Sequence, residues 1–159
     1  MNVALESSIL QMVVFLVDDQ RYALPVLSVD RVLPMVAVTP LPKLPAAALG
    51  VINVHGQVIP ILDIRHRLGF PPKAYGLETH LLVARTTRRT VALPVDEVLG
   101  VREIQAEDVT SPEAVLPGIN HVAGIVPLSD GLLFIHDLNT FFSLDEEQQV
   151  GSALEEMAR

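Results

Sequence analysis

Hydrophobic residues in this chain occur in short runs that alternate with polar turns, and the first two runs form a pair. Met12–Val17 is entirely apolar, the polar turn Asp18–Gln20 follows it, and Arg21–Val26 is a second, mainly apolar run. Strand, turn and strand in this order predict a β-hairpin. Four valines between positions 29 and 38 continue the β-branched bias, and three prolines in Thr39–Pro45 then interrupt it.

A second hairpin and a short helix are predicted next. Gly50–Val54 and Val58–Leu62 are apolar runs on either side of the turn His55–Gln57. Asp63 directly follows the second run, and Gly69 comes six residues later. An aspartate N-cap and a glycine just past the last turn are typical ends of a short helix.

The chain then repeats this order of elements. Two ordered elements that recur in the same order predict two copies of one structural unit. Tyr22–Val26 is matched 69 residues later by Val91–Val95, and Gly50–Val54 is matched 74 residues later by Gly124–Leu128. The same two spacings relate Pro25 to Pro94 and Asp63 to Asp137.

The predicted fold is mostly β, with two packed SH3-like or OB-like five-stranded β-barrels, short helical turns and a C-terminal helix. Closed barrels are favoured because closure removes exposed sheet edges. The predicted boundaries are an N-terminal extension at 1–11, barrels at about 12–76 and 77–142, and a helix and tail at 143–159. An amphipathic helix is predicted over about 144–157 from a capping box and one apolar stripe. The residues of these two patterns are Ser143 with Glu146, and Leu144, Val150, Leu154 and Met157.

Composition narrows the class of protein. Half of the 159 residues are apolar and 19% are charged, which is typical of a folded chain. The formal net charge of −8 argues against binding to nucleic acid or to an anionic membrane surface. The absence of cysteine excludes disulfides and thiolate chemistry. The apolar runs are too short to span a bilayer and no basic residue precedes Arg21, so a cytoplasmic location is expected.

The sequence offers no recognisable catalytic or metal-binding set, so we predict a protein that is not an enzyme and holds no cofactor or metal. It contains neither a Gly-x-Ser-x-Gly elbow nor a phosphate-binding glycine loop. Asp63 and Asp137 are predicted to be helix N-caps, and Arg85, Arg88 and Arg89 a solvated hairpin turn. The five histidines lack the spacing of a zinc motif; they are His55, His66, His80, His121 and His136.

The segment 50–65 carries a resemblance to a known family. It reads Gly-Val-Ile-Asn-Val-His-Gly-Gln-Val-Ile-Pro-Ile-Leu-Asp-Ile-Arg. This resembles the signature of the CheW-like domain, the coupling protein of bacterial chemotaxis, which typically reads Gly-Val-Ile-Asn-Leu-Arg-Gly-x-Val-x-Pro-Val-x-Asp-Leu-Arg. Tyr22–Val26 and Pro94–Val98 also fit the family pattern. The resemblance covers about residues 12–142.

The resemblance implies two SH3-like barrels without catalysis. It also implies an adaptor that links the cytoplasmic tips of methyl-accepting chemoreceptors to the regulatory domain of a CheA-type histidine kinase, at receptor arrays beneath the inner membrane. Carried over by position, the partner-binding residues would be Val29, Arg31, Gly50, Asn53, His55 and Gly56. The family has an acidic residue at the position of Arg31 and an arginine at that of His55. The ion pair of the family cannot form here, so the resemblance does not define the class of receptor. Flagellar chemotaxis and pilus or surface motility are therefore both possible outputs of the signalling pathway.

A second class of function is a stand-alone β-barrel that senses a small molecule. Aromatic residues make up only 4% of the chain, and no convergent set of polar groups is recognisable. Small-molecule sites generally need both. Pull-down with a kinase and a receptor, compared with a ligand-induced thermal-shift screen, would separate the two classes.

Overall fold

The structure is a computed structural model, and it describes residues 8–115 and 121–158. Helix α1 spans Ile64–Leu68, α2 spans Pro112–Val115 and α3 spans Leu144–Ala158. Short 3-10 turns lie at Val26–Ser28, Ala106–Asp108 and Leu138–Thr140. The described residues form ten strands, which are β1 Ile9–Val17, β2 Gln20–Pro25, β3 Val29–Pro34, β4 Ala48–Val54, β5 Gln57–Leu62, β6 His80–Arg85, β7 Thr90–Val95, β8 Glu97–Gln105, β9 Val122–Leu128 and β10 Gly131–His136.

The strands form two five-stranded sheets, and each sheet takes strands from both halves of the chain. Barrel 1 has the order β8-β1-β2-β10-β9, and barrel 2 has the order β3-β6-β7-β5-β4. The hairpin β1–β2 therefore completes the barrel of the second half, and β6–β7 completes that of the first. The predicted division into one barrel at 12–76 and another at 77–142 is wrong for this reason, because the two hairpins are exchanged.

Strand register confirms the duplication itself. Ile135 of β10 lies opposite Ala23 of β2, and at the repeat spacings the equivalent residue Ile61 of β5 lies opposite Ala92 of β7. The register of β3 on β6 shifts between Val29 and Arg31, and that of β1 on β8 shifts at the equivalent place. The two copies therefore share the same strand pairings and the same register shifts at equivalent residues.

Each sheet closes through the segment that follows its outer strand. Thr39, after β3, bridges to Val51 of β4, and Thr110, after β8, bridges to Ile125 of β9. The amide and carbonyl groups of Thr39 and Val51 exchange two hydrogen bonds of 2.9 Å. These paired bridges join the first and last strands of each sheet, which supports the predicted barrels.

The exchanged hairpins explain the fully apolar run at the start of the chain. Alternate β1 residues face opposite sides of the strand. Met12 and Val14 belong to the core inside barrel 1, whereas Val13, Phe15 and Val17 belong to a larger core between the barrels. A strand buried on both faces reads as a continuous hydrophobic run.

The short helices support one predicted N-cap and not the other. The carboxylate of Asp63 accepts a hydrogen bond of 3.3 Å from the amide of His66, and Gly69 ends α1 in the left-handed conformation, as predicted. The Asp137 side chain makes no cap hydrogen bond, so its predicted capping role is wrong. The turn after Asp137 is instead closed by Thr140, whose hydroxyl donates to the Asp137 carbonyl at 3.1 Å.

Helix α3 begins with the predicted capping box. The amide of Glu146 donates to the Ser143 hydroxyl at 3.1 Å, and the amide of Ser143 donates to the Glu146 carboxylate at 2.9 Å. Val150 and Ala153 are the buried residues of the helix. Leu144 is 71% exposed, so the predicted docking through Leu144 is wrong.

The acidic residues at the start of α3 are also less solvated than predicted. Glu146 pairs with Arg67 of α1, and Glu147 pairs with Arg89 in the β6–β7 turn. Each of these four side chains is less than one quarter exposed. The expectation that Arg89 belongs to a solvated turn is therefore wrong. It anchors the C-terminal helix to barrel 2.

Truncation after Ser143 is expected to lower the stability of the protein without abolishing its fold. The truncation removes the buried Val150 and leaves Arg67 and Arg89 without their carboxylates. We expect a loss of about 3 kcal/mol in the free energy of unfolding. Denaturant unfolding checks the loss, and an α3 that proteases digest freely in the native full-length chain would contradict its docking.

Candidate partner-binding site

The tip of the β4–β5 hairpin is an exposed turn whose backbone is set by its sequence. His55 and Gly56 have positive φ angles of 50° and 86°, which is typical of a two-residue turn whose twist matches the flanking strands. The Asn53 side-chain oxygen accepts a hydrogen bond of 2.8 Å from the Gly56 amide. All three residues are exposed. The structure therefore brings together three of the predicted partner-binding residues.

Two further predicted residues lie on β3, an outer strand of the same barrel. Val29 is half-buried, whereas Asp30, Arg31 and Val32 are exposed. The nearest ion pair of Arg31 is with its neighbour Asp30, at 4.0 Å between Nε and Oδ2. Both side chains are more than 40% exposed, so this pair contributes little to stability. The guanidinium is thus available at the surface.

Gly50, the sixth predicted residue, is buried and does not present a surface. A Cβ at this position would lie 2.4 Å from the Thr39 carbonyl oxygen and 2.8 Å from the Val38 side chain. The absence of a side chain allows the segment after β3 to close barrel 2. Gly50 therefore shapes the candidate site through the fold and not through direct contact.

An apolar seam between the barrels extends the site beyond the predicted Val29, to valines that the sequence reasoning did not assign to it. Val26, Val29 and Val98 are partly buried against the core that joins the two sheets. Val101 of β8 is 64% exposed and is the repeat equivalent of the exposed Val32. The repeat spacing of 69 residues, which pairs Val29 with Val98 and Val32 with Val101, was the signal that could have identified these positions. We call Val29, Val32, Val98 and Val101 the seam valines.

A cavity of about 490 Å³ opens beside the seam, at the mouth of barrel 1. Leu27, which is 91% exposed, lies at its rim. The lining is almost entirely apolar and includes Ile9, Met12, Pro25, Val26 and Ile135. Exposed apolar surface of this kind marks interaction sites more often than catalytic ones.

The arginine that ends the family-like segment has an internal role. Arg65 is only 4% exposed, donates to Asp18 and to the Pro71 carbonyl at 2.9 Å each, and lies 5.7 Å from the centre of the Phe70 ring. Asp18 is in the β1–β2 turn of barrel 1, so this ion pair ties the exchanged hairpin to barrel 2. The site is thereby held on two barrels with a fixed relative position.

The turn of the exchanged hairpin also interacts with Asp96. The Asp96 carboxylate accepts the Asp18 amide at 2.7 Å and pairs with Lys73 at 3.1 Å. Burial alone would raise the pKa of this carboxyl. The hydrogen bond from Asp18 and the Lys73 ammonium hold the pKa below its usual value. Asp96 is therefore a charged partner and not a candidate proton donor.

The described residues, 8–115 and 121–158, contain no cluster of three histidine, aspartate or glutamate side chains that could hold a metal ion. Within the same ranges, no helix is long and apolar enough to cross a membrane. Interlocked barrels with an exposed hairpin tip and an apolar seam define a scaffold or adaptor protein.

The particular family follows from comparison with known proteins. The CheW-like domain matches residues 11–146, and the chain belongs to this family. A probable chemotaxis protein CheW of Rhizobium etli is 27% identical over 140 residues, which cover 87% of this chain and 90% of the relative. Protein FrzA of Myxococcus xanthus is 34% identical over 128 residues, which cover 79% of each chain.

The fold also matches a solved structure. The crystal structure of the scaffolding protein TtCheW from Thermoanaerobacter tengcongensis has a TM-score of 0.77 and 25% sequence identity, and the match covers 86% of this chain and 94% of that one. The family and the fold together confirm a chemotaxis coupling adaptor. The alternative of a stand-alone small-molecule sensor is not favoured.

Proposed function

We propose that this adaptor couples the cytoplasmic tips of methyl-accepting chemoreceptors to the regulatory domain of a CheA-type histidine kinase. The observation that carries the proposal is the exposed hairpin tip of Asn53, His55 and Gly56 on the same barrel as the seam valines Val29 and Val32. The tip offers polar contacts and the seam offers apolar ones. This combination is typical of a protein interface with a hydrophobic centre and a polar rim.

The receptor-facing surface comprises Val29, Arg31, Asn53, His55 and Gly56, with Gly50 supporting it from within. Arg31 and His55 replace the family's ion pair by two basic side chains, which cannot form an ion pair with each other. An acidic residue on the partner would satisfy the exposed Arg31 guanidinium, because arginine pairs well with carboxylates. The partners meet at receptor arrays beneath the inner membrane, in flagellar chemotaxis or in pilus or surface motility.

Substitution of His55 tests this surface. His55→Ala is expected to weaken binding to the receptor or the kinase by about 1 kcal/mol or more, which is roughly fivefold or more in Kd. Stability should change little, because His55 is an exposed turn residue. Calorimetric titration with each reconstituted partner measures the affinities.

Ser129→Ala is the matched control. Ser129 occupies the equivalent position, 74 residues later, in the exposed tip of the β9–β10 hairpin. The control should leave both affinities unchanged. Unchanged affinity of His55→Ala for both partners would show that the β4–β5 tip is an ordinary solvated turn.

A further inference from the structure

Beneath α3, three nitrogen-bearing side chains surround one phenyl ring. Within the described part of the chain, the buried side-chain nitrogens that make no hydrogen bond are Arg67 Nε, His121 Nδ1, and both ring nitrogens of His136. The Arg67 guanidinium lies 5.5 Å from the centre of the Phe141 ring. The rings of His121 and His136 lie 6.4 and 6.3 Å from it. Unsatisfied buried polar groups concentrated in one place require an explanation.

The other barrel has apolar residues at the positions equivalent to these two histidines. Leu62 occupies the position equivalent to His136, and Ala47 occupies that equivalent to His121, each 74 residues earlier. Both are buried in the apolar core. At this place the second copy of the unit carries two imidazoles where the first copy carries two apolar side chains.

The charged groups around His121 come from three elements. His121, just before β9, faces Arg67 of α1, Asp137 after β10, and Glu146 of α3. Glu146 is already engaged by Arg67 and by the Ser143 amide. Among the described residues, His121 is the one ionisable neighbour that acts on the pKa of His136, and His136 is only 2% exposed. A proton on His136 would therefore be a buried cation without an anion to pair with it.

The pKa values follow this geometry. Burial, and then the nearby His121, lower the pKa of His136 to about 3. Burial and the Arg67 guanidinium lower the pKa of His121, although a backbone hydrogen bond with Thr140 and the carboxylates of Asp137 and Glu146 oppose this. Both imidazoles are held in the neutral form while the ring of Phe141 covers them.

The same phenyl ring connects His136 to the C-terminal helix. Phe141 is 1% exposed and follows the turn Leu138–Thr140, three residues before α3 begins. Arg67 stacks on its ring and also pairs with Glu146 in the first turn of the helix. Displacement of Phe141 would hydrate His136 and would remove the ring on which Arg67, the partner of Glu146, is packed.

We propose that Phe141 and α3 form an acid-sensitive latch, in which protonation of His136 releases the helix from barrel 2. Release would uncover Arg67 and Arg89, the two arginines that hold Glu146 and Glu147 in the closed state. It would thus convert a covered face of barrel 2 into a cationic surface. This inference is independent of the partner-binding surface around His55.

The sign and size of the effect follow from proton linkage. His136 has a lower pKa in the closed state than the ordinary value of 6.5, so the open state binds more protons. The stability of the closed state is therefore complete above about pH 6.5 and falls as the pH decreases below it. The opening equilibrium should rise roughly thirtyfold between about pH 7.5 and about pH 5.

Hydrogen exchange of the full chain across this pH range, corrected for intrinsic exchange, tests the latch. We expect the opening equilibrium of α3 amides to rise about thirtyfold on acidification in the unmodified chain. The buried strands β1 and β7 should keep their protection. The rise should be lost in His136→Leu, which places the residue of the equivalent position in the site, and in the non-titrating His136→Gln. His80→Leu is the control, because His80 is exposed on β6, and it should behave as the unmodified chain does.

Three results would overturn the latch. The first is α3 protection that does not change with pH in the unmodified chain. The second is a pH dependence that persists in whichever His136 variant folds, which would assign it to the α3 carboxylates. The third is simultaneous loss of protection in α3 and in the buried strands, which would show global unfolding and not a local release.

Discussion

Residues 1–76 expressed without the second half of the chain are expected to give no folded monomer. Barrel 1 takes β1 and β2 from this half but β8, β9 and β10 from the other, and barrel 2 likewise depends on β6 and β7. In the fragment, β1, β2, β3 and β5 would each lose a neighbouring strand that the second half supplies. The Arg67–Glu146 pair would be lost as well. An isolated hairpin is marginally stable at best in water. We expect the fragment to show no cooperative thermal transition by circular dichroism.

Mixing this fragment with residues 77–159 is expected to restore the β spectrum and a single cooperative transition, because the two halves supply each other's missing strands. The control is an equal mixture of residues 77–159 with residues 26–76, which lack the hairpin strands β1 and β2, and it should restore neither the β spectrum nor the transition. A folded, monomeric 1–76 fragment would show that the hairpin can return to its own half, and it would contradict the dependence on exchange.

The repeated unit could be predicted from the sequence because its signals are local. The aspartate cap at Asp63, the glycine at the end of α1 and the Ser143–Glu146 capping box each depend on residues within a few positions of one another. The structure confirms all three. Capping hydrogen bonds between a side chain and a nearby backbone group can be recognised in the sequence even when the tertiary fold is unknown.

The exchange of hairpins could not be predicted, because the two copies are too alike. Tyr22–Val26 and Val91–Val95 share the segment Ala-Leu-Pro-Val, so either hairpin satisfies the apolar pattern of either barrel. The choice is made by contacts distant in sequence. One is the ion pair between Arg65 and Asp18, whose residues are 47 positions apart. Pairing between distant segments has no periodic signature in the sequence.

The candidate site was predicted in part. The turn at His55 and Gly56 was predicted correctly, because turn chemistry is also local. Asn53 was predicted in the strand before this turn, and its side-chain bond to the Gly56 amide is seen only in the structure. The expectation that Leu144 docks α3 was wrong, because an apolar stripe predicts the buried face of a helix but not how far along the helix that face is covered. The predicted solvation of Arg89 failed because its partner, Glu147, lies 58 positions away. The assignment of all six residues to partner binding stays a prediction.

Substitution of Gly50 by alanine is expected to destabilise the protein by about 4 kcal/mol. The new Cβ would lie 2.4 Å from the Thr39 carbonyl oxygen, a backbone atom that accepts a hydrogen bond from the Val51 amide. The Thr39 amide donates a second hydrogen bond to the Val51 carbonyl, so this residue is held in place. The φ angle of 155° at Gly50 is also one that residues with side chains rarely adopt. Overpacking of this kind and backbone strain each cost roughly 1–3 kcal/mol. Denaturant unfolding measures the sum.

Gly56→Ala separates the two causes. Gly56 has a positive φ angle of 86°, but a Cβ there would meet no atom within 4 Å. It should therefore show the cost of backbone strain alone, about 1 kcal/mol. The difference between the two variants reports the clash with Thr39 together with any extra backbone strain from the larger φ angle of Gly50. Equal losses in Gly50→Ala and Gly56→Ala would show that the segment after β3 moves away freely. Gly50 would then have no special part in shaping the candidate site.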